Sequence, residues 1–266
     1  MDRAHSLETE QLLDEELLVY ARQILLDGWD IDAQLRLKSA RVVIIGAGGL
    51  GCPASETLVR AGLGQVHLID DDVIEASNLQ RQTLFLPDDI NKPKALTAAK
   101  MLERINPLIS VNSMVARLSE DNAYDLLDIA TRKPDLLLDC TDNFATRDII
   151  NRISVRYQIP LLSASAIAMQ GQLALFEPHL DTGCYHCVFG SVVDDIASDE
   201  RTCANSGVLA STTAIMGNLQ ANAALQYLGL TKNPLTNKLL LWDGSQMQQR
   251  LMGYRKDPEC PVCKRH

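Results

Sequence analysis

Short apolar runs alternate with longer amphipathic segments along the first two-thirds of the chain. Runs rich in aliphatic and β-branched residues predict buried strands, and the segments between them have the spacing of amphipathic helices. The predicted strands are Val42–Ile45, Gln65–Asp70, Leu108–Val115, Asp135–Cys140 and Pro160–Ser165. The predicted helices are one that begins near Ala54, one at about 91–106 with Asn91 as its N-cap, Ser119–Thr131 and Thr141–Tyr157. This alternation is typical of a parallel sheet covered by helices.

The pattern changes near residue 168. Gly171–Phe176 has strand-like alternation, Gly207–Leu228 predicts a helix of small residues, and two further strands, Lys238–Trp242 and Gln246–Met252, flank the pair Asp243-Gly244. An Asp-Gly pair between such runs predicts an antiparallel hairpin. We therefore expect an α/β fold, a Rossmann-like doubly wound sheet whose parallel half (41–165) continues into a mixed, partly antiparallel half (168–266). No Pro/Gly/Ser-rich linker interrupts the chain, which predicts a single domain over 1–266.

A helical segment, 7–38, precedes the sheet pattern. Residues 7–23 predict an acidic amphipathic helix, and Ile31–Lys38 predicts a second, shorter one. The apolar stripe of the first helix comprises Leu12, Leu13, Leu17, Leu18, Ile24 and Leu25. We expect this segment to lie outside the doubly wound sheet.

Three glycines follow the first strand at G-x-G-x-x-G spacing, namely Gly46, Gly48 and Gly51. A tight turn after a strand favours residues without Cβ, and backbone N–H groups at the start of the next helix can then face an anion. Between a strand and a helix, this spacing is typical of a loop that binds nucleotide phosphates. Asp70 ends the next strand, where an acid conventionally accepts a hydrogen bond from a ribose hydroxyl.

A long polar segment after Asp70 carries Asp72, Asn78, Gln80 and Arg81, and Lys94 follows it. Two cations at the carboxyl edge of the sheet suit a triphosphate better than a nicotinamide dinucleotide, although a lone arginine or lysine is also typical of a solvated surface. No G-x-x-x-x-G-K-[ST] motif occurs, so the lysine does not come from the glycine loop. Asp142, just past a strand, is a candidate Mg²⁺ ligand or an acid at a helix N-terminus, two roles that are compatible.

Composition narrows the class of protein. The formal net charge is −9, and no run of lysine and arginine with interleaved aromatic residues occurs. Nucleic acid and anionic membranes are therefore poor candidate partners. The acidic residues 1–20 lack the pattern of a signal peptide, and we expect a cytoplasmic protein.

Four of the seven cysteines form two C-x-x-C pairs, Cys184 with Cys187 and Cys260 with Cys263. In a reducing compartment these four thiolates predict a structural zinc site, against the alternatives of redox pairs or idle thiols, with His186 as a bystander. Cys203 stands alone beside Arg201 before a helix, so it is either a nucleophile of lowered pKa or an inert thiol. Cys52 and Cys140 are expected in the core.

In order along the chain, the glycine loop, LIDDDVIEASNLQRQ, Lys94, LLLDCTDN, the two cysteine pairs and Cys203 resemble the MoeB/ThiF family. The resemblance covers about 20–263 and implies a homodimer, Mg-ATP as substrate and one structural zinc. It implies that Gly49 and Asp70 contact the nucleotide, that Arg81 and Lys94 contact its phosphates, and that Asp142 holds magnesium. Arg22 matches an arginine that reaches the neighbouring subunit's phosphates, whereas Val19 replaces the family's first arginine.

The resemblance also implies an activity, the ATP-dependent adenylation of the C-terminal glycine of a small ubiquitin-like sulfur carrier ending in Gly-Gly. A cysteine desulfurase or rhodanese would then donate sulfur, and Cys203 matches a cysteine used in sulfur transfer. We expect the molybdopterin pathway, with the thiamine pathway as the alternative. A third branch of the same class, the E1-like tRNA-modifying dehydratases, generally lacks the cysteine pairs. An NAD-dependent oxidoreductase leaves Arg81, Lys94 and the pairs unexplained, and a non-catalytic scaffold leaves the phosphate-binding set unexplained.

Overall fold

The computed structural model describes residues 11–180, 182–190 and 207–264. It begins with three helices, α1 (Asp14–Val19), α2 (Ala21–Ile24) and α3 (Ile31–Ser39). The single helix predicted for the described part of 7–23 is therefore wrong, because Tyr20 interrupts it between α1 and α2. The Tyr20 ring is buried, and its hydroxyl accepts a hydrogen bond from Asn106 Nδ2 at 2.8 Å. The chain bends there to insert the ring.

Most of the predicted apolar stripe of this segment is exposed, and only Leu12 and Ile24 are half-buried. Leu18 is 79% exposed and Leu25 is 77% exposed, and Leu13 is also exposed. In contrast, α3 buries Ala33 and Leu37, and its N-cap Asp30 accepts a hydrogen bond from the Ala33 N–H at 2.8 Å. The second predicted helix is thus confirmed, and its Ala33 and Leu37 belong to the core.

Eight strands form one sheet within the described residues, in the order β3-β2-β1-β4-β5-β6-β7-β8. The strands from β1 to β5 pair in parallel, and β5 to β8 pair antiparallel, which confirms the predicted fold class. Their bounds are β1 (Arg41–Ile45), β2 (Gln65–Ile69), β3 (Ser110–Met114), β4 (Leu136–Asp139), β5 (Leu161–Ile167), β6 (Gln170–Phe176), β7 (Lys238–Asp243) and β8 (Gln248–Gly253).

The remaining helices have bounds that differ from the predicted ones, and the short helix Tyr185–Phe189 was not predicted. They are α4 (Gly51–Arg60), α5 (Lys94–Ile105), α6 (Ala123–Leu126), α7 (Ile129–Arg132), α8 (Phe144–Tyr157), α9 (Tyr185–Phe189) and α10 (Ala210–Leu230). The helix predicted over Ser119–Thr131 is two short ones, because Asp128 between them has φ 51°. Asn91 is not an N-cap, since it has φ 70° and Pro93 precedes the first helical residue, Lys94.

All five residues of β1 are buried, because helices cover both faces of the parallel half. Val42 and Ile44 pack on one face with α4, and Val43 and Ile45 pack on the other with α8. Within the sheet, β2 lies next to β1 on one side and β4 lies next to β1 on the other side. This reversal of the strand order opens a crevice at the carboxyl ends of β1 and β4, where ligands of doubly wound sheets bind.

Candidate active site and cysteine cluster

A cavity of about 610 Å³ lies at the carboxyl ends of β1 and β4. Its volume is in the range of small-molecule and cofactor sites. The glycine loop, the segment between β2 and α5, the loop after β4 and the start of α10 surround it. Most of the predicted nucleotide residues line this cavity, namely Gly46, Gly48, Gly49, Asp70, Asp72, Asn78, Arg81, Lys94 and Asp142.

The glycines of the loop have different roles. Gly46 has φ 97°, and a Cβ there would lie 2.8 Å from the Cys140 carbonyl oxygen. Gly51 does not line the cavity; a Cβ on it would meet the Gly46 carbonyl oxygen at 1.9 Å, so this glycine lets α4 start against β1. Around Gly48, a Cβ would meet nothing closer than Gln82 Nε2 at 3.6 Å. The loop therefore keeps its shape through Gly46 and Gly51 and offers open space at Gly48.

Asp70 ties the glycine loop to the next segment. Its carboxylate accepts hydrogen bonds from the Ala47 N–H at 2.7 Å and from the Asp72 N–H at 2.8 Å. Burial raises the pKa of Asp70, and these two N–H groups and Lys94 act in the opposite direction. Each carboxylate oxygen still has a lone pair, so a ribose hydroxyl can donate to it.

The two predicted phosphate-binding cations lie in different elements, Lys94 in α5 and Arg81 in the segment before it. Lys94 is the first residue of α5, and its Nζ lies 2.9 Å from Asp72 Oδ2; the lysine side chain is 9% exposed, the aspartate 63%. Arg81 is half-buried and donates from Nη1 to the Ser77 carbonyl at 3.1 Å. Asn78 is buried and accepts from the Glu75 N–H, which shapes the turn before Arg81. Gln80 does not line the cavity, and its side-chain amide donates to the carbonyl of Val208, which does.

The cavity wall carries more acids than bases. Five carboxylates line it, against the cations Arg81, Lys94 and Arg117; the acids are Asp70, Asp71, Asp72, Glu75 and Asp142. A polyphosphate would add negative charge to this wall, which a divalent cation would offset. Carboxylate oxygens are the ligands that Mg²⁺ prefers, so this donor set fits magnesium.

Asp142 is exposed in the loop between β4 and α8. It does not cap the following helix, because the N-cap is Asn143, whose Oδ1 accepts from the Thr146 N–H at 2.9 Å. The carboxylate of Asp142 thus lines the cavity without serving as the cap.

Sequence reasoning missed three groups in the cavity wall. Arg117 pairs with Asp71 at 2.9 Å, Gln82 is buried with its Oε1 lacking a partner, and Thr213 comes from α10. Arg117 lies just beyond β3, at the same edge of the sheet as Asp70, a signal that could have revealed it. Thr213 had no such signal, because α10 begins far along the chain.

Besides Gly51, two predicted site residues are not placed in this cavity. Arg22 lies in α2, is exposed and does not line this cavity. Cys203 lies outside the described residues. Cys52 and Cys140 are buried as predicted, and burial raises the pKa of Cys52 to about 12.

The four paired cysteines converge on one point. Their sulfurs lie within 4.8 Å of one another, with Cys184 Sγ 3.7 Å from Cys260 Sγ and Cys187 Sγ 3.4 Å from Cys263 Sγ. A tetrahedral zinc with Zn–S bonds of about 2.3 Å sets its sulfurs about 3.8 Å apart, so the cluster fits zinc. Without metal, burial raises the pKa of Cys184 to about 11. A bound cation would reverse that effect by stabilising the thiolate.

Side chains around the cluster hold it in place. Asn151 donates from Nδ2 to Cys184 Sγ at 3.6 Å and accepts at Oδ1 from the Tyr185 N–H at 3.1 Å. His186 does not belong to the four-ligand group, in agreement with its predicted role as a bystander; its Nδ1 lies 4.0 Å from Asp148.

None of the helices in 11–180, 182–190 and 207–264 has the length and apolar character needed to cross a membrane.

Comparison with known proteins places the chain in a family. Residues 20–262 match the ThiF family. Over 250 residues the chain is 40% identical to the sulfur carrier protein ThiS adenylyltransferase of Escherichia coli, and the aligned region covers 94% of this chain and 96% of that protein. It is 38% identical over 256 residues to the molybdopterin-synthase adenylyltransferase of Salmonella typhimurium, with coverage of 95% and 98%.

The fold has solved counterparts. A crystal structure of E. coli MccB with ATP superposes with a TM-score of 0.73 at 28% identity, over 87% of this chain and 68% of that one. A second, with MccA-N7isoASN, gives a TM-score of 0.79 at 25% identity, over 94% and 75%. With a match that spans nearly the whole chain and relatives near 40% identity, this protein belongs to the ThiF family.

Proposed function

We propose that this protein adenylates the C-terminal carboxylate of a small ubiquitin-like sulfur carrier that ends in Gly-Gly. It is an adenylyltransferase of the ThiF family, and both relatives described above are named for this activity. The observation that supports the proposal most is the meeting of the glycine loop, Arg81 and Lys94 in one cavity. A solved relative, MccB, has been crystallised with ATP, which supports the same ligand here.

The charge of the substrate explains why no general base is needed. A C-terminal carboxyl group has a pKa of about 3.5 and is ionised at neutral pH. The obstacle is repulsion between this carboxylate and the phosphates of ATP. Lys94 and Arg81 neutralise the phosphates, while a carboxylate oxygen attacks the α-phosphorus and the bond to the departing pyrophosphate breaks. The products are an acyl-adenylate and pyrophosphate.

The existing ion pair of Lys94 suits this task. Its ammonium group pairs with the largely exposed Asp72, so an incoming phosphate can replace that carboxylate without opening the core. Asp142 would hold a magnesium ion, which supplies further neutralisation of the phosphates when bound. Arg22 would add a cation to the other subunit's cavity in a homodimer. Val19 stands where the family has its first arginine, so this chain keeps Arg22 and lacks whatever the first arginine contributes.

Two carriers are candidates. One belongs to molybdopterin synthesis, our first expectation, and the other to the thiamine pathway. Relatives named for each are similarly close, at 38% and 40% identity, and so support both equally. In either pathway a cysteine desulfurase or a rhodanese would supply sulfur to the adenylate. Cys203 would take part in that transfer in the thiamine pathway, whereas in the molybdopterin pathway the adenylate would be used directly.

The test is ATP–pyrophosphate exchange driven by purified carrier. The small subunit of molybdopterin synthase and the thiamine-pathway carrier are each added to the protein with Mg-ATP and labelled pyrophosphate. We expect exchange with one of them, and none with the same carrier lacking its last two glycines. Exchange with neither carrier, or tight binding of NAD without binding of ATP, would overturn the proposal.

The role of Cys203 needs its own variant. Cys203→Ala should retain carrier-dependent exchange and lose sulfur transfer to the thiamine-pathway carrier, because the thiol acts after adenylation. A large loss of exchange itself would contradict this order of steps.

A further inference from the structure

A buried carboxylate lies directly beneath the loop that carries Asp142. Asp139 ends β4 and is 1% exposed. Its Oδ1 accepts from the Thr141 hydroxyl at 2.6 Å and from the Thr141 N–H at 3.0 Å, and its Oδ2 accepts from the Ser163 hydroxyl at 2.6 Å. Asp139 does not line the cavity. Its hydrogen bonds instead fix Thr141, the residue before Asp142.

Arg147 holds the other main-chain polar group of Thr141, its carbonyl. It lies in the first turn of α8, is 6% exposed, and donates from Nη2 to the carbonyls of Thr141 and Ala164, the latter at 2.9 Å. Its Nη1 lies 3.8 Å from Asp139 Oδ2, so the two buried charges offset each other. The N–H and the C=O of Thr141 are therefore both held by buried charged groups, which leaves Asp142 little freedom in its main chain.

The same arginine lies near the cysteine cluster. Burial raises the pKa of the Tyr185 hydroxyl, and the positive charge of the nearby Arg147 guanidinium acts in the opposite direction. Tyr185 is the neighbour of Cys184. One turn later on α8, Asn151 bonds both the Cys184 sulfur and the Tyr185 N–H. Tyr185 is itself buried, with its ring packed edge-on against Phe176 at 6.1 Å. Asn151 thus connects the cluster to α8, the helix that carries Arg147, and Arg147 in turn binds the loop of Asp142.

We propose that Arg147 is a positioning residue for the divalent cation, and that the cysteine cluster holds Arg147 in place through Tyr185 and Asn151. The inference rests on the proposed function, because it takes Asp142 as the magnesium ligand. Groups that orient a metal ligand in this way typically contribute about 10- to 100-fold to metal affinity or activity. The cysteine cluster would then stabilise the nucleotide site as well as its own part of the fold.

The test measures how strongly magnesium strengthens ATP binding. The dissociation constant of ATP is measured by titration calorimetry in cation-depleted buffer and again with saturating Mg²⁺, and the ratio of the two is compared among variants. No chelator is added, since a chelator would strip the cysteine cluster. The variants are Asp142→Ala as the reference, Arg147→Gln, Arg147→Lys, Tyr185→Phe and, as a matched control, Tyr157→Phe on the same helix.

We expect Asp142→Ala to abolish the magnesium effect and Arg147→Gln to lower it by about 10-fold or more. Arg147→Lys should restore part of it, Tyr185→Phe should lower it by a smaller factor, and Tyr157→Phe should leave it unchanged. Tyr185→Phe removes one hydroxyl and keeps the ring, so it tests the inference even where Arg147→Gln fails to fold.

The results separate the inference from the function beneath it. If Arg147→Gln and Tyr185→Phe weaken ATP equally with and without Mg²⁺, their role is merely structural and the inference is wrong. If Asp142→Ala leaves the ratio intact, the magnesium assignment fails and the inference fails with it. In both cases carrier-driven exchange still decides independently whether the protein is the proposed adenylyltransferase.

Discussion

The nucleotide cavity and the cysteine cluster present their ligand atoms in opposite ways. In the cavity, opposite charges pair with one another near solvent, as in Lys94 with Asp72 and Arg117 with Asp71. In the cluster, four sulfurs face one another and Cys184 and Cys260 are buried. Exposed pairs exchange partners at little cost, whereas buried thiolates need a resident cation. The cavity is therefore arranged for a substrate that comes and goes, and the cluster for a metal that stays.

The largest effect should follow from breaking the cluster. Cys263→Ser should lose bound zinc and lower the melting temperature by roughly 10 °C, as expected when a ligand present at about 1,000 times its Kd no longer binds the folded state. Zinc content by mass spectrometry and melting by calorimetry are the measurements. Cys52→Ala is the matched control, since Cys52 is buried outside the cluster and should leave zinc in place. A variant that loses zinc without losing stability would remove the contrast between the two sites.

A cation in the cavity should affect chemistry more than folding. Lys94→Ala should slow carrier-dependent ATP–pyrophosphate exchange by about 100- to 1,000-fold, because Lys94 neutralises charge that develops on the departing pyrophosphate.

The matched control for Lys94 is Lys92→Ala. Lys92 forms an exposed pair with Asp89 at 2.9 Å, and its loss should change the rate less than about twofold. Equal effects of the two variants would mean that position in the cavity does not matter.

Two glycines of the loop provide a comparison within the cavity itself. Gly46→Ala should lower the free energy of unfolding by more than about 2 kcal/mol, since the new methyl group meets the Cys140 carbonyl and the residue must keep a positive φ. Gly48→Ala should range from no change to about 1 kcal/mol of stabilisation, because its surroundings are open. Urea unfolding measures both. Similar losses at both positions would contradict the division of roles within the loop.

The smallest effect concerns pH. Because burial raises the pKa of Asp70 above 3.8, the native state binds its proton more tightly than the unfolded chain does. This group therefore stabilises the fold fully below the unfolded pKa, and that contribution is lost as pH rises through the raised native pKa.

Urea unfolding at pH values between about 4 and 7 tests this for Asp70. The stability of the unmodified protein minus that of Asp70→Asn should fall as pH rises across this window. A constant difference between the two proteins would show that the carboxyl titrates alike in both states.

Local patterns were enough to predict much of this molecule. The apolar run of β1, the spacing of the three glycines and the paired cysteines are each visible over a few residues, and the structure contains the strands and the cluster they predict. The hairpin of β7 and β8 was likewise predicted from Asp243-Gly244. These features depend on backbone propensity and side-chain chemistry, which neighbouring residues specify.

Features set by distant contacts were not predictable in this way. The break between α1 and α2 depends on Tyr20 meeting Asn106, 86 residues along the chain. Arg147 looks like a helix residue in sequence, and its role becomes visible only where β4, β5 and α9 meet. Thr213 likewise lines the cavity only because α10, far along the chain, packs beside it. Tertiary packing decided these outcomes, and a single sequence carries little trace of it.

The position of β1 in the middle of the sheet also bears on how the chain is synthesised. One edge of β1 pairs with β2, but the other waits for β4, and the Arg41 N–H finds its acceptor, Asp135, 94 residues later. Until a growing chain reaches Leu136, the run Val42–Ile45 presents an unpaired edge of wholly apolar side chains. Such an edge invites pairing with other chains. Translation pauses between β2 and β4 should therefore promote aggregation more than pauses after β4, once β1 is enclosed.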